Sequence, residues 1–110
     1  MKTLICAVVV SFVATAAAAN PAHNKISSMS DHDRQVVFAK LLTNSGDRCQ
    51  SASKTFFQGS DKAGNAYWSV QCAGAKAYQI QIKNNSTGST KILDCAVMKA
   101  ANLGACFKKL

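Results

Sequence analysis

The chain of 110 residues has no glutamate, a single proline, a single tryptophan and, among its 13 basic residues, few arginines. Each scarcity excludes something. Every carboxylate side chain is an aspartate: Asp31, Asp33, Asp47, Asp61 and Asp94. Asp31 and Asp33 read as helix-start residues, Asp61 as a turn residue and Asp94 as a cap, so no pair stands out for acid–base chemistry. No serine sits in a G-x-S-x-G elbow. No C-x-x-C pair exists, which removes the usual zinc spacing and, for want of C-x-x-C-H, a c-type haem. The loop Asp61-Lys62-Ala63-Gly64-Asn65 lacks the alternating acids and terminal Glu of a calcium loop and reads as a hairpin turn. No metal and no cofactor is expected. With Arg34 and Arg48 as the only arginines and the lysines spread one per segment, the clustered Arg and Lys of a specific nucleic-acid module are missing.

What is present is concentrated between residues 56 and 95. Alternation of apolar and polar side chains marks a half-buried strand, because successive residues face opposite ways. Tyr78, Ile80 and Ile82 alternate with Gln79, Gln81 and Lys83, and Trp68, Val70 and Cys72 alternate with Tyr67, Ser69 and Gln71. Further short strands are expected at 55–58 and 91–94. Asp, Asn and Gly fill the gaps at 59–65, 73–76 and 84–88, as hairpin turns require. No proline interrupts the segment. The pattern predicts an antiparallel meander of three or four strands. Setting Phe57 opposite Trp68 and Val70 opposite Ile80 places Phe57, Trp68, Val70, Cys72, Tyr78, Ile80 and Ile82 on one face as a core. The other face carries Lys54, Phe56, Tyr67, Ser69, Gln71, Gln79, Gln81 and Lys83. Either Ile92 or Leu93 points inward from the last strand.

Residues 1–19 read as a cleaved signal peptide. Lys2 supplies the charged start, residues 4–14 a largely apolar run, and Ala17-Ala18-Ala19 a small-residue cleavage site, with the cut after Ala19 or a neighbouring alanine. The apolar run is too short for a transmembrane anchor, so no membrane-spanning segment is expected in the mature chain. Residues 20–29 lack periodicity and read as a flexible arm; residues 30–110 form one small domain. Ser30-Asp31-His32-Asp33 is a capping pattern, followed by Val37, Phe38, Leu41 and Leu42 at helical spacing. This helix should pack on the Trp68 face. Asp94 can cap a short second helix, and Gly104 lets the chain reverse. The fold class expected is α+β: an N-terminal helix on the meander, a short C-terminal helix, and two disulfides.

The mature chain keeps Cys49, Cys72, Cys95 and Cys106, and an even count in a small exported protein reads as a disulfide framework. Cys72 and Cys95 end strands separated by a third, ~10 Å apart at ~4.8 Å per strand, too far to bridge. Cys49 lies just before the strand that pairs with the Cys72 strand. The expected pairs are Cys49–Cys72 and Cys95–Cys106.

The cysteine spacing together with Phe56-Phe57-Gln58-Gly59, Asp61, Gly64, Trp68-Ser69-Val70, Leu93-Asp94-Cys95 and Cys106-Phe107 resembles a group of short exported bacterial proteins of unknown function with a four-cysteine C-terminal region. The resemblance spans residues 49–110. It implies a bacterial envelope location and carries over no catalytic residue.

The functional expectation is a basic binding module, periplasmic or secreted, that is not an enzyme. Its candidate surface is the second sheet face, taken as open: Phe56, Tyr67, Ser69, Gln71, Gln79 and Gln81. That face can equally be solvated, or covered by the arm or a second subunit. The candidate partners are an envelope protein or an anionic envelope polymer. Two alternatives remain: a cationic protein acting on anionic envelope surfaces, which needs its lysines to converge on one side, and an enzyme, which needs a pocket joining His32 to an aspartate.

Overall fold

The computed structural model describes residues 20–110; the signal peptide expected at 1–19 lies outside them. The elements run α1 (Pro21–Ser27), α2 (Asp31–Asn44), β1 (Ala52–Ser60), β2 (Ala66–Cys72), β3 (Ala77–Ile82), β4 (Thr90–Asp94) and α3 (Cys95–Ala100). The strands form one antiparallel sheet in the order β1-β2-β3-β4. The architecture is α+β, as the alternation predicts.

Helix α2 begins where its cap predicts. Ser30 accepts a hydrogen bond from the Asp33 amide at 3.2 Å, and Asp31 and Asp33 complement the positive end of the helix. Its apolar stripe buries Phe38 and Leu42 against the sheet, with Ala39 and Leu41 beside them. These meet Trp68, Val70, Tyr78, Ile80 and Ile82, all on one face by strand parity. Each such side chain contributes about 1.5–3 kcal/mol when fully buried. Ile92 pairs with Ile80 and packs on this core, so Leu93 points to the opposite face with Gln79.

Two register details differ from expectation. Phe57 does lie opposite Trp68, but Val70 faces Tyr78 and Ile80 faces Trp68. The shift is two residues, so the face assignment survives. The cause is the β2–β3 turn, where the Cys72 amide donates to the Lys76 carbonyl at 2.7 Å and closes a loop tighter than assumed. β1 is also longer than 55–58 and carries two irregularities, between Ala52 and Lys54 and between Phe57 and Gly59. At the second, Gly59 has φ +135°, a conformation an L side chain rarely adopts.

The flexible arm expected at 20–29 is a correction: residues 21–27 are helix. Asn20 caps α1 by accepting from the His23 amide at 3.1 Å, and Pro21 supplies a helical φ at the first position. The Asn20 side chain is buried and donates to the Gly64 and Ile82 carbonyls at 3.1 and 2.9 Å. Ala22 and Ile26 pack on the core. Ala22 approaches Gly88 so closely that a Cβ there would lie 2.6 Å from it. Seven residues are too few to show a helical period, and Asn20-Pro21, a cap followed by a first-turn proline, went unread as a start signal.

Both disulfides join the expected cysteines, with Cα–Cα distances of 5.2 Å for Cys49–Cys72 and 5.9 Å for Cys95–Cys106. The first fastens the α2–β1 connection to the end of β2. The second returns the chain after α3, through Asn102 at φ +57° and Gly104 at φ +108°. Residues 105–110 then cross the second sheet face, so the sheet is covered on both sides and not in two layers alone. Closing loops of this length contributes roughly 3 kcal/mol each in the chain-entropy model.

Asn20→Ala should lower unfolding stability by about 2–3 kcal/mol, since it removes a cap and leaves two carbonyls short of a donor. Urea denaturation checks this. A loss under about 0.5 kcal/mol would place α1 off the sheet.

Candidate functional site

The six residues expected to form an open face do share one side of the sheet. Phe56 pairs with Ser69, Tyr67 with Gln81, and Ser69 with Gln79, so all alternate away from the Trp68 core. The face is not open. Ser69 is 0% and Gln79 8% exposed. What covers them is the chain's own C-terminal segment. The Phe107 amide donates to Ser69 Oγ at 2.9 Å. Gln58, itself buried, donates through Nε2 to the carbonyls of Ala105 and Lys108, both at 3.0 Å, and the Leu110 amide donates to the Gln58 carbonyl at 3.0 Å. Gln79 Nε2 donates to Gln58 Oε1 at 3.0 Å. Two glutamines thus form a buried amide ladder that holds the tail down. Parity puts Gln58 on this face, but only the tail's return reveals its role.

The remaining face residues are also engaged. Gln71 Nε2 donates to the Cys72 and Lys76 carbonyls and stiffens the hairpin. Gln81 Nε2 donates to Tyr67 Oη at 2.8 Å, and Tyr67 donates to Asp61 Oδ2 at 2.9 Å. Asp61 further accepts from the Ala63 and Asn65 amides and from Asn65 Nδ2. Its carboxyl is held below the usual carboxylate range, first by the Asn65 side chain. Burial, followed by the neighbouring carboxylate of Asp61, raises the Tyr67 hydroxyl above its ordinary value. The loop is an Asx-type turn with every carboxylate oxygen in use.

Aromatic rings and ammonium groups meet at the β1 side. Phe56 lies 6.4 Å from Phe107, Lys54 Nζ sits 4.8 Å over the Phe107 ring, and Lys109 Nζ lies 5.7 Å from Phe56 and 5.5 Å from Phe57. At the opposite, β3–β4 end of the tail-covered face lies α3, whose Met98, buried outside the main core, touches Cys106 Sγ at 3.9 Å.

On the other face, the Trp68 indole N–H donates to His23 Nδ1 at 3.0 Å. This pairing requires a neutral imidazole with its proton on Nε2, which faces Ser27 Oγ at 3.2 Å. His23 stacks on Phe57 at 4.6 Å. Arg34 lies 4.9 Å over Trp68 and donates to the Ile26, Ser27 and Met29 carbonyls and to Asp31. Both side chains fasten α1 to α2 and the sheet. Residue spacing missed His23 because 45 positions separate it from Trp68.

His32 lines a cleft of about 340 Å³ between α2 and residues 49–52, together with Val36, Ala39, Lys40, Thr43, Cys49 and Ala52. No carboxylate lines it. A second cleft of about 560 Å³ adjoins it near Arg48 and Lys76, with Asp47 on its wall. Among the described residues, no three His, Cys, Asp or Glu side chains gather as metal ligands, and no helix is long and apolar enough to cross a membrane. No family model, curated protein or solved structure matches the chain.

Burial holds His23 below its ordinary value of 6.5. Above that value both folded and unfolded chains carry a neutral ring, and its full contribution is present. As the pH falls, the unfolded chain binds the proton first, so stability is lost as the pH descends through the lowered folded value. His23→Phe, which keeps a ring on Phe57 but cannot titrate, should lack this step. Thermal unfolding of both proteins between pH 8 and about pH 5 reads the difference. Parallel curves would show that His23 does not anchor Trp68.

Proposed function

We propose that the protein is a small exported binding module, not an enzyme, and that its target is anionic envelope material. The observation that carries this reading is the distribution of charge about the sheet. Lys54 pairs in register with Gln71, and Lys91 with Gln81, so both alternate onto the tail-covered side. Lys99 on α3 and Lys108 and Lys109 in the tail belong to the layer over that side. None of the five has a carboxylate partner among the described residues, where the ion pairs are Arg34–Asp31 and Lys76–Asp94. Asp31 and Asp33 lie on α2, across the sheet; Asp61 reaches only the corner, with its oxygens engaged. After Asp94 the sequence contains no acidic side chain. A one-sided cationic field attracts and orients an anionic partner.

The groups that would do chemistry support binding over catalysis. His23 is committed to Trp68, Asp61 to its turn, and the cleft beside His32 has no carboxylate to pair with it. The exported location, periplasmic or secreted, rests on the signal-like residues 1–19 and the resemblance, and two disulfides are compatible with it. No nucleic-acid sequence reading is proposed.

Binding to dextran sulfate, followed across a salt series, tests the one-sidedness. Lys108→Glu with Lys109→Glu should weaken binding by about tenfold and flatten its salt dependence, because close charges dominate a screened interaction. Lys25→Glu with Lys40→Glu, which changes net charge equally on the opposite side, should leave most of the binding. Equal losses would reduce the effect to net charge and overturn the reading.

A further inference from the structure

We infer that the C-terminal layer docks on the surface of an anionic lipid bilayer; this rests on the anionic target proposed above and names it. Four large hydrophobic side chains are exposed among the described residues, and three lie in this layer: Val97 at 56%, Leu103 at 62% and Leu110 at 67%. They alternate along the chain with Lys99, Lys108 and Lys109. Together they extend from β1, where Leu110 packs beside Gly59, to the β3–β4 side, where α3 packs.

Their exposure is not looseness. Cys95–Cys106 closes the layer, Met98 is buried beneath it, and the Gln58 and Ser69 bonds pin residues 105–110. Phe107 holds left-handed backbone at φ +58°, a conformation that a bulky non-glycine residue keeps only where surroundings enforce it, while Asn102 at φ +57° ends α3 in the left-handed turn that asparagine tolerates. A fastened segment that turns aliphatic side chains outward presents them to something. Lysines around them argue against a second copy of this chain, whose matching layer is equally cationic. Neither cleft described above includes a residue of this layer, and a bilayer needs no pocket to receive it. Aliphatic tips enter the boundary between headgroups and acyl chains, while lysine stems lie along it and place ammonium groups at the phosphates.

Co-sedimentation of the purified oxidised protein with vesicles separates the possibilities. Wild type should bind phosphatidylglycerol/phosphatidylcholine vesicles and leave pure phosphatidylcholine vesicles unbound. Val97→Ser with Leu103→Ser and Leu110→Ser keeps every charge and should weaken vesicle binding about tenfold or more, with dextran sulfate binding unchanged. Val36→Ser, which removes the exposed hydrophobe of α2, should match wild type. Vesicle binding untouched by the triple substitution would overturn lipid docking. So would wild-type binding to dextran sulfate without binding to vesicles, which leaves the anionic target standing. Binding to neither would overturn both.

Discussion

The indole N–H of Trp68 sets the terms for one whole side of the molecule. The ring is 4% exposed, under α2 and beside Phe38 and Phe57. A buried donor without an acceptor is costly, by about 1–3 kcal/mol. No residue of the sheet supplies that acceptor; His23 of α1 does. The requirement then propagates. α1 must dock for Trp68 to be satisfied, Asn20 must cap α1 and reach the Gly64 and Ile82 carbonyls, and Arg34 must hold the α1–α2 connection over the same ring. A segment without a hydrophobic period of its own is ordered by polar bonds to the core, with Ala22 and Ile26 packing beside them.

The opposite face repeats the logic with amides in place of an imidazole. Gln58 and Gln79 alternate away from the apolar core, where water would satisfy them. The tail displaces that water, and each amide finds a protein partner instead. The tail gains two carbonyl bonds and an amide bond from one side chain and its backbone. Cys95–Cys106 makes this return local, because the segment has little freedom left once α3 is formed. Among the described residues, no buried side-chain nitrogen or oxygen lacks a partner.

This explains which parts of the fold were legible. Strand parity is a local property, so Tyr78-Gln79-Ile80-Gln81-Ile82 announced both its strand and its faces. The disulfides followed, because sheet spacing forbids Cys72–Cys95 and Cys49 lies just before the strand that pairs with the Cys72 strand. Ser30 and Asp94 were legible as caps for the same local reason. What parity cannot say is whether a polar face meets water or another segment. Ser69 and Gln79 read as an open face because their partners, Phe107 of the returning tail and Gln58 of β1, lie 38 and 21 residues away in sequence. His23 was hidden similarly: a lone histidine in a short helix carries no pattern, and its partner is one indole nitrogen. The charge separation is a further case, since the placing of Lys54, Lys91, Lys99, Lys108 and Lys109 on one side shows only once register and tail are known.

The covered face also changes where a partner can meet the molecule. Had Gln79 and Ser69 been open, hydrogen-bond donors and acceptors would have offered directional recognition of a particular ligand. Their bonds are internal, and what the tail leaves outward is of another kind: ammonium groups, which attract without strict geometry, and aliphatic tips, which have no directional preference. Surfaces of that composition select a class of target by charge and apolarity, not a molecule by shape. If the molecule binds as proposed, the rigid part of the recognition lies beneath the surface, in the Gln58–Gln79 ladder and the Ser69 bond that keep Phe107 and the lysines beside it in place. A change at Gln58 would then act on binding without the residue touching the target.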